Sequence, residues 1–468
     1  MKKGFIFIAV IVVVLAAAAA IWKLYFDSPN RMRATIEQAD DVNVEKNVMT
    51  ITTSEEHINF SFLGYGEVII DWGDGSSATH SFSSDEEWAE YSHRFSGSQR
   101  NVVTITGNVA HFSSTHSGII EADLRKNKLL THLNFDYNQL TSLDLSMNTE
   151  LERLDVDYNQ IANIDLKNNT KLKAMWIREN RLRSLDVSNC PELENLYCQS
   201  NQLTTLKLSN NSALVYLNCS DNQLTTLDVS GSLFLEHLLC ENNQLTSLDI
   251  SKNTYLTNLS CQGNRLRSLE AGVNLEHLDC SNNQLANLDV SKNTEIAELF
   301  CQDNRITELN LQTNTRLREL NANNNRLSNL DVTENFLLTV LRVNNNRLSN
   351  LDVSKNTALT RLLCSNNQLT SMDISANTAL LVVGFCDNRL TELDVNANAA
   401  LFGLGIQRNQ FSTDALNDMF NSLKPYNHTY DSPPWVLING NPGTSNSNLG
   451  IATEKDWNIF TDVRVILE

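Results

Sequence analysis

The sequence predicts a mostly β chain: a solenoid of about fourteen short coils, preceded by a small antiparallel β-sandwich and closed by short helical and irregular segments. The first observation is a repeat. Asn138, Asn159, Asn180, Asn201, Asn222, Asn243 and Asn264 are spaced by 21 residues; one step of 19 leads to Asn283, and the 21-residue step resumes through Asn304, Asn325, Asn346, Asn367, Asn388 and Asn409. The second is period-2 alternation of apolar and polar residues before the repeat begins, the signature of half-buried strands. The third is scarcity of turn formers: 17 glycines and 6 prolines in 468 residues, where average usage gives roughly 7% and 5%. Side-chain amides take over the turns.

Charge excludes one class of function. The chain has 55 acidic residues against 36 basic ones, a net charge of −19, which argues against general nucleic-acid binding because phosphate contacts need clustered Lys and Arg.

Residues 1–26 read as a membrane signal. Lys2 and Lys3 precede an apolar run from Phe5 to Trp22, closed by Lys23. At ~1.5 Å per residue, that run comes close to the ~30 Å bilayer core. Ile21, Trp22, Leu24 and Tyr25 fit the interfacial belt of an uncleaved anchor, whereas Ala18 and Ala20 offer a signal-peptide cleavage site. No cysteine follows the run, which excludes lipoprotein attachment. Both readings put the rest of the chain outside the cytoplasm, in the periplasm or at the cell surface. Residues 27–47 are polar and charged, a stalk.

From 48 to 107 apolar residues alternate in four runs: Ile58, Phe60, Phe62; Val68, Ile70, Trp72; Tyr91, His93, Phe95; Val103, Ile105. Turn residues such as Asp74-Gly75 separate them, as in an antiparallel sandwich. The segments Asp71-Trp72-Gly73-Asp74-Gly75 and Tyr91-Ser92-His93-Arg94-Phe95 resemble a PKD-type β-sandwich. The resemblance implies a spacer module. Asp71 and Asp74 could coordinate calcium, but the residue types around them read as turn chemistry.

Residues 108–410 hold the repeat. One coil reads Leu359-x-x-Leu362-x-Cys364-x-x-Asn367-x-Leu369-x-x-Met372-x-Ile374-x-x-Asn377. A second asparagine series (Asn127, Asn148, Asn169, Asn211, Asn253, Asn293 and on to Asn398) runs between the first, with Cys190 and Ser232 substituting within it. This pattern resembles the leucine-rich repeat in its short, internalin-like bacterial form, and with the sandwich it resembles the leucine-rich repeat surface proteins of Bacteroidota. A coil cannot bury its apolar face alone, so coils stack, each giving a short strand to a parallel column. Buried at a turn, the ladder asparagine can satisfy backbone N–H and C=O groups that no regular ladder reaches. Residues 411–468, with an amphipathic segment from Asp414 to Leu423 and a strand at Trp435–Ile438, read as the cap that closes the last coil.

Three columns follow from this register. Cys198, Cys219, Cys240, Cys261, Cys280, Cys301 and Cys364 lie three residues before a ladder asparagine, an inward position where free thiols act as small hydrophobes. Asp123, Asp144, Asp165, Asp186, Asp228, Asp249 and their successors form an acidic stripe, expected to face water on the second strand with serines two residues on donating to them. The outward positions of the first strand vary from coil to coil. Trp176, Tyr197 and Tyr216 come from three successive coils and are expected to form an exposed aromatic patch, with Leu239 and Phe300 further along the same face. Exposed contiguous aromatics mark interaction sites.

No catalytic arrangement is present: zinc-protease, P-loop and dinucleotide fingerprints are missing, and the histidines fall in separate coils. The expectation is a non-enzymatic, exported and monomeric module without cofactor or metal, attached to the membrane through Phe5–Trp22 and binding a protein or glycan on the solenoid face. The rivals are an envelope spacer without a specific ligand and an accessory that presents substrate to a partner enzyme.

Overall fold

The computed structural model describes residues 47–83, 88–97, 100–426 and 432–461. The apolar run Phe5–Trp22 and nearly all of the stalk lie outside the described residues. Among those described, no helix is long and apolar enough to cross a membrane. The chain divides into two compact units, up to Leu172 and from Lys173 onward.

The first unit opens with six strands: β1 (Val48–Thr53), β2 (His57–Asp71), β3 (Ser77–Ser81), β4 (Trp88–Arg94), β5 (Asn101–Ser113) and β6 (Ile119–Asp123). Antiparallel pairing runs β6–β1–β5–β2, and β2 carries β4 along its first half and β3 along its second. The ring centroids of Phe60 and Trp72 nonetheless lie only 5.5 Å apart. Twelve extended residues would span roughly 40 Å, so the segment folds back and the sheet closes over its own apolar face. The bend falls where the β2–β5 register shifts, between Leu63 and Gly64 and again before Ile69. Gly64 is required there, because a Cβ would meet the Asn108 carbonyl at 2.1 Å. Ile58, Phe62, Val68, Ile70, Val103 and Phe112 fill the interior.

Asp71 and Asp74 serve the turn. Asp71 accepts from Gly73 N–H at 2.9 Å, and Asp74 accepts from Ser76 N–H at 2.9 Å and from its hydroxyl at 2.5 Å. Those bonds, the Ser76 hydroxyl first, hold the Asp74 carboxyl at about 2.

The far half of β5 has a second partner. It pairs in parallel with β7 (His132–Asn134), His111 opposite His132, and β7 pairs with β8 (Arg153–Asp155). One strand of the antiparallel module is thus the template on which the parallel column starts.

In the second unit three-residue strands from Ala174–Trp176 to Gly403–Gly405 pair in parallel, in strict sequence order. Each central residue (Leu196, Leu217, Leu238, Leu259 and so on) is buried, as are the inward residues that follow. All nine cysteines are free and buried. The column continues into the C-terminal segment: Trp435–Leu437 pairs with Gly403–Gly405, and Asn458–Phe460 pairs with Trp435–Leu437. The connection between those first two strands carries α1 (Thr413–Ser422), whose Leu416, Met419 and Phe420 are buried and whose N-cap Ser412 hydroxyl accepts from Ala415 N–H. A short α2 (Gly450–Thr453) precedes the final strand.

The acidic stripe differs from the expectation of a second strand. Asp123 closes β6, antiparallel to β1, but in the coils that follow, among the described residues, regular pairing of the stripe occurs only between Ser184–Asp186 and Thr205–Lys207, with isolated bridges at Glu270–Asp289 and Asn310–Asp331. Asp186, Asp228, Asp249 and Asp352 accept from the N–H two residues on, in the paired coil as in the unpaired ones, so the stripe aspartates close the turn that follows them.

Candidate functional site

The scaffold of the outward face is held by the two asparagine series. Asn243 donates through Nδ2 to the carbonyls of Cys219 and Cys240 at 3.0 and 3.2 Å, and its Oδ1 accepts from Leu224 N–H at 2.9 Å. Asn138, Asn159, Asn201, Asn222, Asn264, Asn304, Asn325, Asn346, Asn367, Asn388 and Asn409 repeat this reach to the carbonyl 24 residues earlier. Asn283 does so across 22 residues, after the shortened coil. Asn180 bonds the carbonyls of its own coil, Ile177 and Arg178.

The second series works from one end only. Asn253 donates to the carbonyls of Val229 and Ser232 at 2.9 and 2.7 Å, while its Oδ1 is buried without a hydrogen-bond partner. Losing the donors alone is tolerable, which accounts for Cys190 and Ser232 in that series and for the unvarying asparagine of the first.

Sequence reasoning missed a third column. The residue before each ladder asparagine has a left-handed backbone: φ lies between 51° and 58° at Tyr137, Tyr158, Glu179, Ser200, Asp221, Asn242, Asn282, Asp303, Asn324, Asn345, Asn366, Asp387 and Arg408, and is 66° at Gly263. The recurring Asn-Asn and Asp-Asn pairs were the available signal, since these types tolerate that region best.

On this frame Trp176 and Tyr197 stand opposite each other on adjacent strands, ring centroids 5.2 Å apart and planes within 10°. Tyr216 lies diagonal to Tyr197 at 4.7 Å and 26°, and stands opposite His237, whose ring is 5.6 Å away. Burial pushes the Tyr216 hydroxyl up and the His237 imidazole down from their ordinary ranges.

The exposed patch expected from sequence is therefore corrected. Trp176, Tyr197, Tyr216, Leu239 and Phe300 are all half-buried; in the first three, stacking covers ring faces that would otherwise be open. Leu239 is next along the face, opposite Asn218. Phe300 stands three strands beyond it, beside His277 at 5.5 Å. His277 in turn bonds Glu298 at 2.9 Å, lowering that carboxyl. More exposed apolar side chains lie elsewhere on the turns: Leu233, Phe234, Tyr255 and Val273 in three consecutive coils, and Phe336 and Leu337 further along. Among the described residues no group of three or more His, Cys, Asp or Glu could hold a metal ion.

These features define a leucine-rich repeat solenoid. The functional domain of InlJ from Listeria monocytogenes, described as including a cysteine ladder, is 31% identical over 72% of this chain and 76% of that one, with a TM-score of 0.65. A leucine-rich repeat protein of Leptospira interrogans is 23% identical, covering 64% of this chain and 84% of that one at a TM-score of 0.57. InlF, also from L. monocytogenes, is 21% identical over 62% and 84% at 0.51. No family model matches the sequence, and no curated protein does. The chain belongs to the internalin-like leucine-rich repeat proteins.

Proposed function

We propose that this chain is a non-enzymatic, exported binding module that recognises a protein ligand on the outward face of its first strands, around Trp176, Tyr197 and Tyr216. The observation that carries the reading is the stacked triad itself, set in columns whose neighbours change at every coil. A face that changes from step to step can encode recognition; the nearly uniform Asp-x-Ser stripe cannot. A protein suits it better than a glycan. Sugar rings pack on open aromatic faces, and here those faces are stacked on one another. Indole and phenol edges, with their N–H and O–H groups, suit backbone carbonyls and carboxylates.

Phe5–Trp22 would hold the module to the membrane on its extracytoplasmic side. The six N-terminal strands, resembling a PKD-type spacer, would lift the repeats away from it, as in the Bacteroidota surface proteins that the sequence resembles.

Residues 31–468 immobilised as bait should capture a protein ligand, and Trp176→Ala with Tyr197→Ala should abolish capture. Removing such anchors typically costs ~2 kcal/mol or more of binding, and the melting temperature should move by only a few degrees. Undiminished capture by the double variant would shift the site to the N-terminal module, and no capture by the parent chain would favour the spacer reading.

A further inference from the structure

The turns that lead into the first strands of the second unit carry a self-complementary row of side chains. These turns close alike: Leu256 N–H donates to the Asn253 carbonyl at 3.1 Å, as Leu235 does to Ser232, Leu317 to Asn314 and Leu338 to Asn335. The two residues between donor and acceptor therefore project from the same place in each of these coils. Neighbours in the row touch: Phe234 and Tyr255 have ring centroids 5.6 Å apart, and Arg316 pairs with Glu295 at 2.5 Å. In the shortened coil the Gly272 carbonyl accepts from Asn293, so Val273 and Asn274 hold the row's places there.

Among the described residues of this unit, every exposed large apolar side chain lies on the row: Leu233, Phe234, Tyr255, Val273, Phe336 and Leu337. Phe234 and Tyr255 are more than half exposed. The row has a midpoint, the gap between Glu295 and Arg316. Counted outward from it, coil by coil, Val273 on one side matches Phe336 and Leu337 on the other. Tyr255 then matches Ala358, and Phe234 matches Ala379. The two halves are thus complementary: acid to base, apolar to apolar, large ring to methyl.

We infer that a second copy of this chain docks on the row, antiparallel, about a two-fold axis that passes between Glu295 and Arg316, in place of the monomer expected from sequence. Phe234 and Tyr255 then lie over Ala379 and Ala358 of the other copy, and the reverse contact repeats it, as a two-fold interface requires. Each Glu295 meets the other copy's Arg316, so four charges alternate across the axis. Those charges also fix the register. A slip of one coil sets Glu295 against Glu295, or Arg316 against Arg316. A lipid surface suits the row less well, because it would strip water from that ion pair without adding a partner. A foreign protein would not account for the match between the row's two halves. The contact is a modest one. Seven coils separate Phe234 from Ala379, about 34 Å at ~4.8 Å per coil, and a strip two residues wide buries less than the ~800 Å² per partner of a standard interface. Lys252 also comes beside Lys355 of the other copy, both exposed, where water and salt screen the repulsion. The dissociation constant should be on the order of micromolar.

The test uses the full chain in detergent micelles. Thr254 and Thr357 are exposed and face each other across the proposed axis, but within one chain they stand five coils apart, about 24 Å. Thr254→Cys with Thr357→Cys in the same chain should give a covalent dimer on mild oxidation, read on a non-reducing gel. Either substitution alone should give far less. The nine native thiols are buried and stay out of the reaction. Without added cysteines, sedimentation should show a dimer that Arg316→Glu weakens about tenfold or more. Glu295→Arg together with Arg316→Glu should restore it, because the swap keeps each charge opposite its counterpart. A parent chain that stays monomeric at submillimolar concentration, a dimer untouched by Arg316→Glu, no recovery in the charge swap, or cross-linking by a single variant as strong as by the pair would each overturn the assignment.

Discussion

The Nδ2 of Asn243 lies 3.0 Å from the carbonyl oxygen of Cys219, one coil earlier. With Leu224 N–H on its Oδ1, this buried amide closes a donor and an acceptor that strand pairing leaves open. Asn243→Ala should therefore cost roughly 1–3 kcal/mol. Asn253→Ser, in the series that uses its donors alone, should cost less. Urea unfolding of the two variants decides the point, and equal losses would show that the two series do the same work.

The residue before each ladder asparagine pays a conformational cost when it is not Asn, Asp or Gly. Glu179 has φ 54°, in a region that disfavours most L side chains by about 1 kcal/mol. Glu179→Asn should stabilise the protein by roughly 0.5–1 kcal/mol. A lower melting temperature in that variant would mean that the glutamate side chain makes a compensating contact.

Burial decides the chemistry of the cysteine column. It pushes the Cys198 and Cys301 thiols up to about 12, and the thiolate is the reactive form. The native protein should give almost no reaction with an aromatic disulfide reagent at pH 8, and all nine thiols should react after denaturation. Cys240→Ser, which buries a hydroxyl beside apolar neighbours, should cost about 1–3 kcal/mol. Rapid labelling of the folded chain would show that the column opens to solvent.

The turn aspartates set the acid limit. In Asp186, Asp228 and Asp289 the serine hydroxyl two residues on is the main cause that holds the carboxyl below its usual range; in Asp249 and Asp352 it is the backbone N–H. Arg125 holds Asp123 at about 2. Folded-state values lie below the unfolded ~3.9, so their contribution is complete above about pH 5 and lost as pH falls toward 2. Unfolding midpoints in urea should drop steadily from pH 5 to pH 3. A flat profile would show that these turn bonds do not matter to stability.

Legibility follows the repeat. The solenoid, its inward leucines and the thiol column were readable because every coil restates the same positions, so register errors would be visible at once. The left-handed residues were harder, because Tyr137, Glu179 and Arg408 break the Asn/Asp pattern that would have marked them. The half-burial of Trp176, Tyr197 and Tyr216 was not readable: position on a face is periodic, but whether rings cover one another depends on rotamers. Asn441 was hidden for another reason. It bonds Ile406 and Ile438 through Nδ2, at 2.9 and 2.8 Å, and accepts from Asn409 N–H at 3.1 Å, as a further ladder asparagine would. Its spacing of 32 from Asn409 breaks the period, because α1 is inserted between them.

One cation closes the end of that insertion. Lys455 Nζ donates to the carbonyls of Phe420, Asn421 and Leu423 at 2.9, 2.7 and 2.8 Å, taking up the open acceptors at the end of α1, where the helix dipole favours positive charge. Trp457 adds Nε1–H to the Lys424 carbonyl at 2.8 Å. Lys455→Met keeps the stem and removes all three bonds, so it should cost roughly 1–2 kcal/mol. The loss should be local, because each coil contacts only its neighbours. Amide exchange should quicken across residues 413–424 and leave the strands at His237–Leu239 and Glu298–Phe300 protected. Unchanged exchange in the helix would mean that Leu416, Met419 and Phe420 hold it alone, whereas quickened exchange throughout would make the cap a keystone of the whole column.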